Sequence, residues 1–433
     1  MGDAFLTRRG SGGGGKGQEI TFNDTPMVLT KTLSNVLSVG RYDMAVASDD
    51  EYIAFVCGRN SSGNTVKNID FFNRGGKHWT ANWPEAVAEM AAVITNHRLL
   101  GFGGVKSGTS YSKWGTVWYL NNALLNSGTP ASMADMSYYS RAISAIPFSG
   151  GVLVALGMVP TGGSVDTVHF YSLRDNTQKV AVKTGEGRCN MGFLQCNYKS
   201  ALLAGGYKAP SGVPAVLNKV QLIVQGSDGS FSYSAMPNLA VAQYRPTQAT
   251  IYDQGIKYCL FGLGLALPVT QGNIVQPALV VPNIDVYRVD LTSARDVETT
   301  KFSTFTLPLD SNPISAVALG FGDCVLYVVG YMNELTKGYL VQLNPLRITT
   351  MEFNFRSSEF QGGVIGNHVG FIAGGIKNGA FSTDVEMIQL LRNVPIYPGM
   401  KYKVGSMTSE ETSNILTLHP LNDEIKLSGY MKL

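Results

Sequence analysis

One hydrophobic pattern recurs along the chain about every fifty residues. Short apolar runs end close to a glycine and are followed by polar loops. The runs are IAFVCG, LLGFGG, VLVALG, ALLAGG, CLFGLG, LYVVG and GFIAGG. The last marked positions of the runs are Gly58, Gly104, Gly157, Gly206, Leu263, Gly330 and Gly375. A repeat of this length is typical of proteins built from stacked supersecondary units.

Each repeat also contains strand-like segments on both sides of its apolar run. YDMAVAS precedes the first run, NIDFFN follows it, and KFSTFTL at 301–307 is an example of a fourth short strand. The segment 84–93 is the best candidate for a helix, although it also reads as a strand. Units of four short strands cannot bury both faces alone. They therefore predict an all-β protein, a β-propeller with seven blades.

A closed propeller needs a strand from the other end of the chain to remove the open edge of its last blade. TPMVLTKTLS at 25–34 has the alternation of a strand, and we expect it to complete the seventh blade. The predicted organisation is a glycine-rich N-terminal attachment peptide at 1–24, a propeller at 25–393 and a small β-rich extension at 394–433.

The repeats resemble kelch repeats, in which a diglycine ends the second strand and a spaced aromatic pair follows the next loop. The diglycines are Gly103-Gly104, Gly205-Gly206 and Gly374-Gly375. The resemblance covers roughly residues 40 to 393. It implies a kelch-like propeller fold, in agreement with the strand pattern.

Composition narrows the functional classes. Charged residues are only 15% of the chain, and the net charge of +3 is too small and too dispersed to indicate nucleic-acid binding. No apolar stretch approaches the length of a membrane span, and no secretory signal opens the sequence, so we expect folding in a cytoplasm. The five cysteines lack metal-ligand spacing and are expected to be buried free thiols.

Catalytic patterns are scarce. Kelch-like propellers include the copper enzyme galactose oxidase, which needs two histidines and two tyrosines in position to bind copper. The histidines here are scattered, at His78, His97, His169, His368 and His419. The Ser-x-Asp-x-Gly-x-x-Trp boxes of sialidases are absent, and GSDGSFS at 226–232 reads as a tight turn. The sequence predicts a protein that is not an enzyme and has no metal or cofactor.

One face of the predicted propeller collects long polar loops, and arginines recur there at the start of the blades. Guanidinium groups bind carboxylate or phosphate in bidentate fashion, and exposed aromatic rings stack on sugars or anchor protein contacts. The candidate ligand residues are Arg41, Tyr111, Trp114, Arg141, Tyr207, Tyr244 and Arg245. The alternative is that the arginines tie blades together, as they often do in kelch repeats.

The two ends of the chain carry a second resemblance. MGDAFLTRRG with its glycine tract, and VPIYPGMKYKVG with LSGYMKL near the other end, resemble the ends of structural proteins of tailed phages that infect Gram-positive bacteria. A short peptide on a flexible glycine segment can order when a partner captures it. Phe5 and Leu6 would fill a pocket of that partner, and Arg8 and Arg9 would pair with acidic groups.

Together these features predict a phage tail, tail-fibre or baseplate protein, or a component of a phage-tail-like bacteriocin. The expected partners are other tail proteins and a host-surface glycan or protein. We expect several copies per particle, with no membrane insertion, in a virion or phage-like particle assembled in the host cytoplasm. The alternatives are a kelch-type adaptor that recruits another protein, and a carbohydrate-active enzyme.

Overall fold

The computed structural model describes residues 21–22, 26–107, 110–112, 115–119, 131–132, 140–208, 215–253, 255–266, 270–271, 274–275, 280–290, 299–310, 313–331, 335–353, 358–377, 379–392, 395–396 and 417–419. Strands, turns and bends make up these ranges, including the segment 84–93. Within them, no helix is long and apolar enough to cross a membrane.

The strands are numbered in chain order. Up to residue 132 they are β1 (Thr21–Phe22), β2 (Met27–Leu33), β3 (Arg41–Tyr42), β4 (Ala45–Ser48), β5 (Tyr52–Val56), β6 (Arg59–Asn60), β7 (Asn68–Asn73), β8 (His78–Asn82), β9 (Ala91–Thr95), β10 (Arg98–Phe102), β11 (Gly115–Tyr119) and β12 (Ala131–Ser132). Up to residue 262 they are β13 (Ser144–Phe148), β14 (Gly151–Met158), β15 (Ser164–Ser172), β16 (Gln178–Lys183), β17 (Gly192–Asn197), β18 (Ser200–Ala204), β19 (Tyr207–Lys208), β20 (Ala215–Val216), β21 (Val220–Gln225), β22 (Phe231–Met236), β23 (Thr247–Asp253) and β24 (Ile256–Gly262).

The later strands complete the series. They are β25 (Thr270–Gln271), β26 (Ile274–Val275), β27 (Asn283–Asp290), β28 (Thr299–Thr306), β29 (Pro313–Gly320), β30 (Cys324–Tyr331), β31 (Thr336–Leu343), β32 (Leu346–Phe353), β33 (Ser358–Ile365), β34 (Val369–Lys377), β35 (Ala380–Phe381), β36 (Val385–Leu391), β37 (Pro395–Ile396) and β38 (Thr417–His419).

Six antiparallel four-stranded sheets form blades one to six. Their strand orders are β4-β5-β7-β8, β9-β10-β11-β12, β13-β14-β15-β16, β17-β18-β21-β22, β23-β24-β27-β28 and β29-β30-β31-β32. The first strands of neighbouring blades contact one another, and β33 contacts both β29 and β4, so the ring closes around a central axis. This arrangement confirms the prediction of an all-β propeller.

Six sheets have the predicted four-stranded form, and the place of the seventh blade in the ring, between β29 and β4, is occupied by a larger sheet. The strands expected in the seventh unit belong to a six-stranded closing sheet of order β33-β34-β36-β2-β38, with β35 paired to β34. Its two additional strands are β35, which pairs with β34, and β38 from the C-terminal part of the chain. β2 pairs with β36 from Met27↔Leu391 to Leu33↔Val385, and β38 pairs with the other side of β2.

The core lies between neighbouring sheets, which explains the apolar second strands. Every residue of β30 is buried, as are all residues of β18. All five cysteines are buried and free, as the sequence predicts. The second strands therefore supply the surface that each blade buries against the next.

In blades one to five and in the closing sheet, a pair of residues near the end of the second strand connects neighbouring units. The first member of each pair has a positive φ, at Cys57, Gly103, Leu156, Gly205, Leu263 and Gly374. The second member is always glycine, at Gly58, Gly104, Gly157, Gly206, Gly264 and Gly375. A Cβ at Gly58 would lie 2.5 Å from the carbonyl oxygen of Tyr42, so the close approach excludes other residues. The second position is thus glycine in all six pairs. Close approach also requires glycine at the first position in two of them, because a Cβ at Gly205 or Gly374 would overlap a backbone carbonyl oxygen.

Candidate binding face at the channel mouth

A three-residue turn precedes the first strand in each of blades one to five. We call it the leading turn. Its first, second and third residues are named the buried, rim and channel residue, in that order. The leading turns are residues 41–43, 87–89, 140–142, 188–190 and 243–245. The carbonyl of the buried residue accepts a hydrogen bond from the second-strand glycine of the preceding blade, for example from Gly104 N–H to Ser140 at 2.8 Å. The repeated glycines therefore hold the leading turns in place through these hydrogen bonds.

The channel residues form a belt around the axis. Glu89, Ala142, Asn190 and Arg245 each donate a backbone N–H to the carbonyl of the channel residue in the preceding blade, and the chain of bonds ends on Asp43. The N···O distances lie between 2.7 and 3.3 Å. These five residues have φ between 51° and 53°, in the left-handed region. Backbone geometry of this kind is unfavourable for most side chains and is concentrated at functional sites.

A cavity of about 400 Å³ opens at this belt, a volume suited to a small ligand or part of a larger one. The channel residues line the cavity together with Ile314 of blade six and Glu359 of the closing sheet. Glu359 also has a positive φ of 60°. The mouth therefore presents the carboxylates of Asp43, Glu89 and Glu359 beside the guanidinium group of Arg245. We name this surface the channel mouth.

Arginines connect the carboxylates of the channel mouth through long ion pairs. Arg59 lies 3.6 Å from Asp43 and 3.4 Å from Glu89. Arg141 lies 3.4 Å from the same Glu89 oxygen, and Arg245 lies 3.7 Å from Asp43. The side chains of Arg141 and Arg245 are 30% and 45% exposed. Partly exposed pairs of this kind contribute only about 0–1 kcal/mol each, so a ligand can replace them at little cost.

Tyrosines lie around the arginines. The guanidinium group of Arg141 lies over the ring of Tyr111, 5.1 Å from its centroid. The rings of Tyr207 and Tyr244 pack against each other with centroids 6.0 Å apart. All three rings are half-buried. They offer apolar ring surface close to charged donors and acceptors, a combination that suits ligands with both apolar and polar groups.

Two carboxyl groups of the channel mouth, those of Asp43 and Glu359, have raised pKa values. Burial raises the pKa of Asp43, the Glu89 charge raises it further, and the nearby arginines only partly oppose these effects. Desolvation by the channel walls raises the pKa of Glu359, and the Asp43 charge adds to the shift. Both carboxylates are therefore harder to ionise than ordinary surface acids.

Replacing Glu359→Gln should raise the melting temperature at neutral pH. A carboxyl group whose pKa is raised by folding destabilises the folded state when it is ionised, and this penalty disappears as pH falls through the folded pKa. The difference between wild type and variant should therefore shrink by about pH 4, where glutamic acid is mostly neutral in both states. Thermal melts at the two pH values test this. A variant that melts lower at neutral pH would contradict the burial of this carboxylate.

Five of the seven candidate ligand residues lie on the same face as the channel mouth. They are Tyr111, Arg141, Tyr207, Tyr244 and Arg245, which belong to leading turns or to loops that pair with them. Arg41 also belongs to a leading turn on this face, but the prediction that it contacts a ligand is wrong, because its side chain is fully buried. Trp114 lies outside the described residues, as do Phe5, Leu6, Arg8 and Arg9 of the predicted attachment peptide.

The arginines differ because they occupy different positions of the leading turn. Arg41 and Arg188 are buried residues, Arg141 is a rim residue and Arg245 is a channel residue. Arg41 pairs with Asp70 at 2.7 Å, whereas Arg188 donates to the carbonyl groups of Gly205 and Lys219, both at 2.9 Å. The alternative prediction, that the arginines hold the blades together, therefore fits the two buried arginines, Arg41 and Arg188. The position of an arginine within the leading turn decides whether its side chain is buried in the structure or exposed at the channel mouth.

Sequence reasoning missed the acidic side of the mouth. Asp43 and Glu89 lie two residues before a first strand, Glu359 is the second residue of β33, and Arg59 follows the glycine of blade one. The only signal, shared by Asp43 and Glu89, is an acidic residue placed two positions before a strand. That signal is weak, because only the left-handed backbone turns these side chains toward the axis.

Two of the histidines have structural partners. His78 pairs with Asp70 at 2.8 Å, and His169 contacts Gln178 at 2.6 Å. Burial lowers the pKa of His169 to about 4. Across the part of the chain that the structure describes, no three His, Cys, Asp or Glu side chains are grouped to hold a metal ion.

Comparisons with known proteins support the fold. No family model matches the sequence, and no curated protein matches it. Among solved structures, the chain is similar to YjhT, with a TM-score of 0.54 and 10% sequence identity. The similarity covers 73% of this chain and 99% of YjhT. At this identity the similarity shows a shared β-propeller fold alone, and a fold hosts many functions.

Proposed function

We propose that this chain is a structural component of a phage tail or phage-like particle, and that its channel mouth binds a glycan on the host surface. The observation that carries the binding part is the channel mouth itself. Arg245 and three carboxylates line a cavity. Arg141 pairs with one of these carboxylates, that of Glu89, and the half-buried ring of Tyr111 lies against Arg141. The remaining part rests on the resemblance of the two ends of the chain to phage tail proteins.

The chemistry of the mouth suits sugars. Sugar hydroxyl groups both donate and accept hydrogen bonds, so they can use the carboxylates of Asp43 and Glu89 and the guanidinium groups of Arg141 and Arg245 together. The apolar faces of sugar rings pack on tyrosine rings such as Tyr111 and Tyr244. Because each such site binds weakly, several copies per particle would provide the avidity that adhesion needs.

Removal of residues 1–18 tests the tail assignment. We expect the deleted protein to keep its melting temperature but to be missing from assembled particles, because the peptide provides the attachment. The matched variants are the double change Phe5→Ala and Leu6→Ala, expected to reduce incorporation, and Gly12→Ala, expected to retain it. A folded deletion protein that is incorporated at the wild-type level would overturn the attachment role.

Treatment of host cells separates a glycan receptor from a protein receptor. Full-length labelled protein, presented as a multimer, should bind cells of a Gram-positive host. Periodate, which cleaves vicinal diols of sugars, should abolish adsorption, whereas protease treatment should leave it unchanged. The reverse result would favour the protein-recruiting adaptor, since a protein partner is destroyed by protease.

A further inference from the structure

The charged groups that line the cavity at the channel mouth are unequal in number. Among its described lining residues, Asp43, Glu89 and Glu359 are acidic and Arg245 is the one base. The other arginines of the channel mouth pair with these carboxylates but do not line the cavity. A cleft lined mainly by one sign of charge attracts ligands of the opposite sign. The cavity therefore favours a ligand with a positive charge.

The carboxylates and the guanidinium group come from different sides of the ring. Glu359 is in β33, which contacts β4 of blade one, and Asp43 lies just before β4. The backbone N–H of Glu89 donates to the carbonyl of Asp43, so the three acidic residues come from consecutive units. Arg245 belongs to blade five, and its Nη1 lies 3.7 Å from Oδ1 of Asp43. The cation that lines the cavity is therefore already paired with Asp43.

Glu359 has no cation of its own. In the described part of the chain, its carboxylate forms no ion pair within 4.0 Å. The residue is exposed and lines the cavity. Gly375 packs against the backbone on both sides of it, because a Cβ at Gly375 would lie 2.3 Å from the carbonyl oxygen of Ser358 and 2.8 Å from the backbone nitrogen of Phe360. Glu359 is thus an accessible carboxylate, held in place, that an external cation can reach.

An ammonium group matches the surroundings of Glu359. It donates three hydrogen bonds and accepts none, and its bonds to carboxylates are charge-assisted. Gln361, two residues further along β33, also lines the cavity and offers an amide oxygen as a second acceptor. A metal ion fits less well, because no three His, Cys, Asp or Glu side chains among the described residues are grouped to hold one.

We propose that the glycan bound at the channel mouth carries a free amino group, and that Glu359 binds this group as an ammonium ion. This inference rests on the proposed glycan-binding function. Arg245 and Asp43 remain available for hydroxyl groups of the same glycan. N-acetylation replaces the ammonium group with a neutral amide, which does not complement the charge of Glu359. The channel mouth should therefore select unacetylated amino sugars over their N-acetylated counterparts.

Matched glycan pairs test this selectivity. Each pair is printed on an array as a free-amine form and its N-acetylated form, beginning with glucosamine tetrasaccharide, and the full-length protein is applied as a multimer at neutral pH. We expect the wild type to bind the free-amine forms at least about tenfold more tightly. The preference should shrink in about 1 M salt, which screens charges. The net charge of +3 opposes a nonspecific preference for amines.

Two variants locate the preference. Glu359→Gln keeps the size of the side chain but removes its charge, and it should lose the preference for the free amine. Glu352→Gln changes a carboxylate of β32 that is 63% exposed and lies outside the channel mouth, and it should keep the preference. Thermal melts show whether each variant is folded.

The outcomes separate this inference from the proposed function. Equal binding of both forms by the wild type, or binding only to glycans without a free amine, would overturn the inference while glycan binding stands. The comparison within the wild type does not depend on any variant folding. A folded Glu359→Gln variant with the wild-type preference would overturn the role of Glu359. Binding to no glycan at all would overturn the proposed function, and this inference with it.

Discussion

Replacing Arg41→Ala is expected to lower the free energy of unfolding by about 3–5 kcal/mol. Arg41 and Asp70 are fully buried, with 2.7 Å between Nη2 and Oδ2. Arg41 also donates to the carbonyl of Phe55 at 2.9 Å. The substitution leaves the Asp70 carboxylate buried without its cation, and removal of one partner from a buried pair is far more damaging than loss of a surface pair. Chemical denaturation measures the change.

Two observations make this result diagnostic. Although burial raises the pKa of Asp70, hydrogen bonds from His78 and the charge of Arg41 lower it to a net value below the usual range. The stabilisation from Asp70 is therefore present above its unfolded pKa and is lost as pH falls through its folded pKa, so the effect of Arg41→Ala should diminish in acid. The control is Arg174→Ala, an exposed arginine between β15 and β16, expected to change stability by less than about 0.5 kcal/mol. Equal effects of the two changes would show that Arg41 has no structural role.

The second large effect is expected at the glycine pairs. Gly58→Ala should destabilise the protein by about 3 kcal/mol or more, because it combines backbone strain with overlap against backbone atoms. Gly58 has φ of 110°, and a Cβ there would lie 2.5 Å from the Tyr42 carbonyl oxygen. That carbonyl belongs to the leading turn of blade one, so the damage extends to the ribbon of β3 and β6.

Gly63→Ala is the matched control for this substitution. Gly63 also has a positive φ, of 75°, but a Cβ there would have no heavy atom within 4 Å. The expected cost is about 1 kcal/mol, the usual penalty for an L-residue in this region. The difference between the two variants in denaturant unfolding isolates the contact between the glycine and the leading turn. If both variants lose equal stability, this contact is unimportant.

The strand pattern could be predicted because it depends on local alternation. Each apolar run falls in the second strand of its sheet, and NIDFFN coincides with β7. The pairing of β2 with β36 was expected, because a closed propeller needs a strand from the other end of the chain. The addition of β38 could not be predicted, because it joins residues hundreds of positions apart. Local hydrophobicity carries no information about such pairing.

The candidate site was predictable only in part. Long loops and aromatic residues predicted that Tyr111, Tyr244 and Arg245 share one face of the propeller, and in the structure they lie on the face of the channel mouth. The roles of Arg41 and Arg245 could not be separated, because they depend on which member of a three-residue turn each arginine occupies. The channel residue is recognised by its left-handed backbone conformation. The sequence does not reveal which glutamate or arginine adopts that conformation.

A glycan array tests the binding function of the channel mouth most directly. The full-length protein is presented as a multimer in three forms, the wild type, Arg245→Ala and Arg174→Ala. We expect the wild type and Arg174→Ala to bind the same glycans, and Arg245→Ala to lose at least about tenfold in affinity, equivalent to about 1.4 kcal/mol. Absence of glycan binding by every multimeric form, or unchanged binding by Arg245→Ala, would contradict a glycan site at the channel mouth.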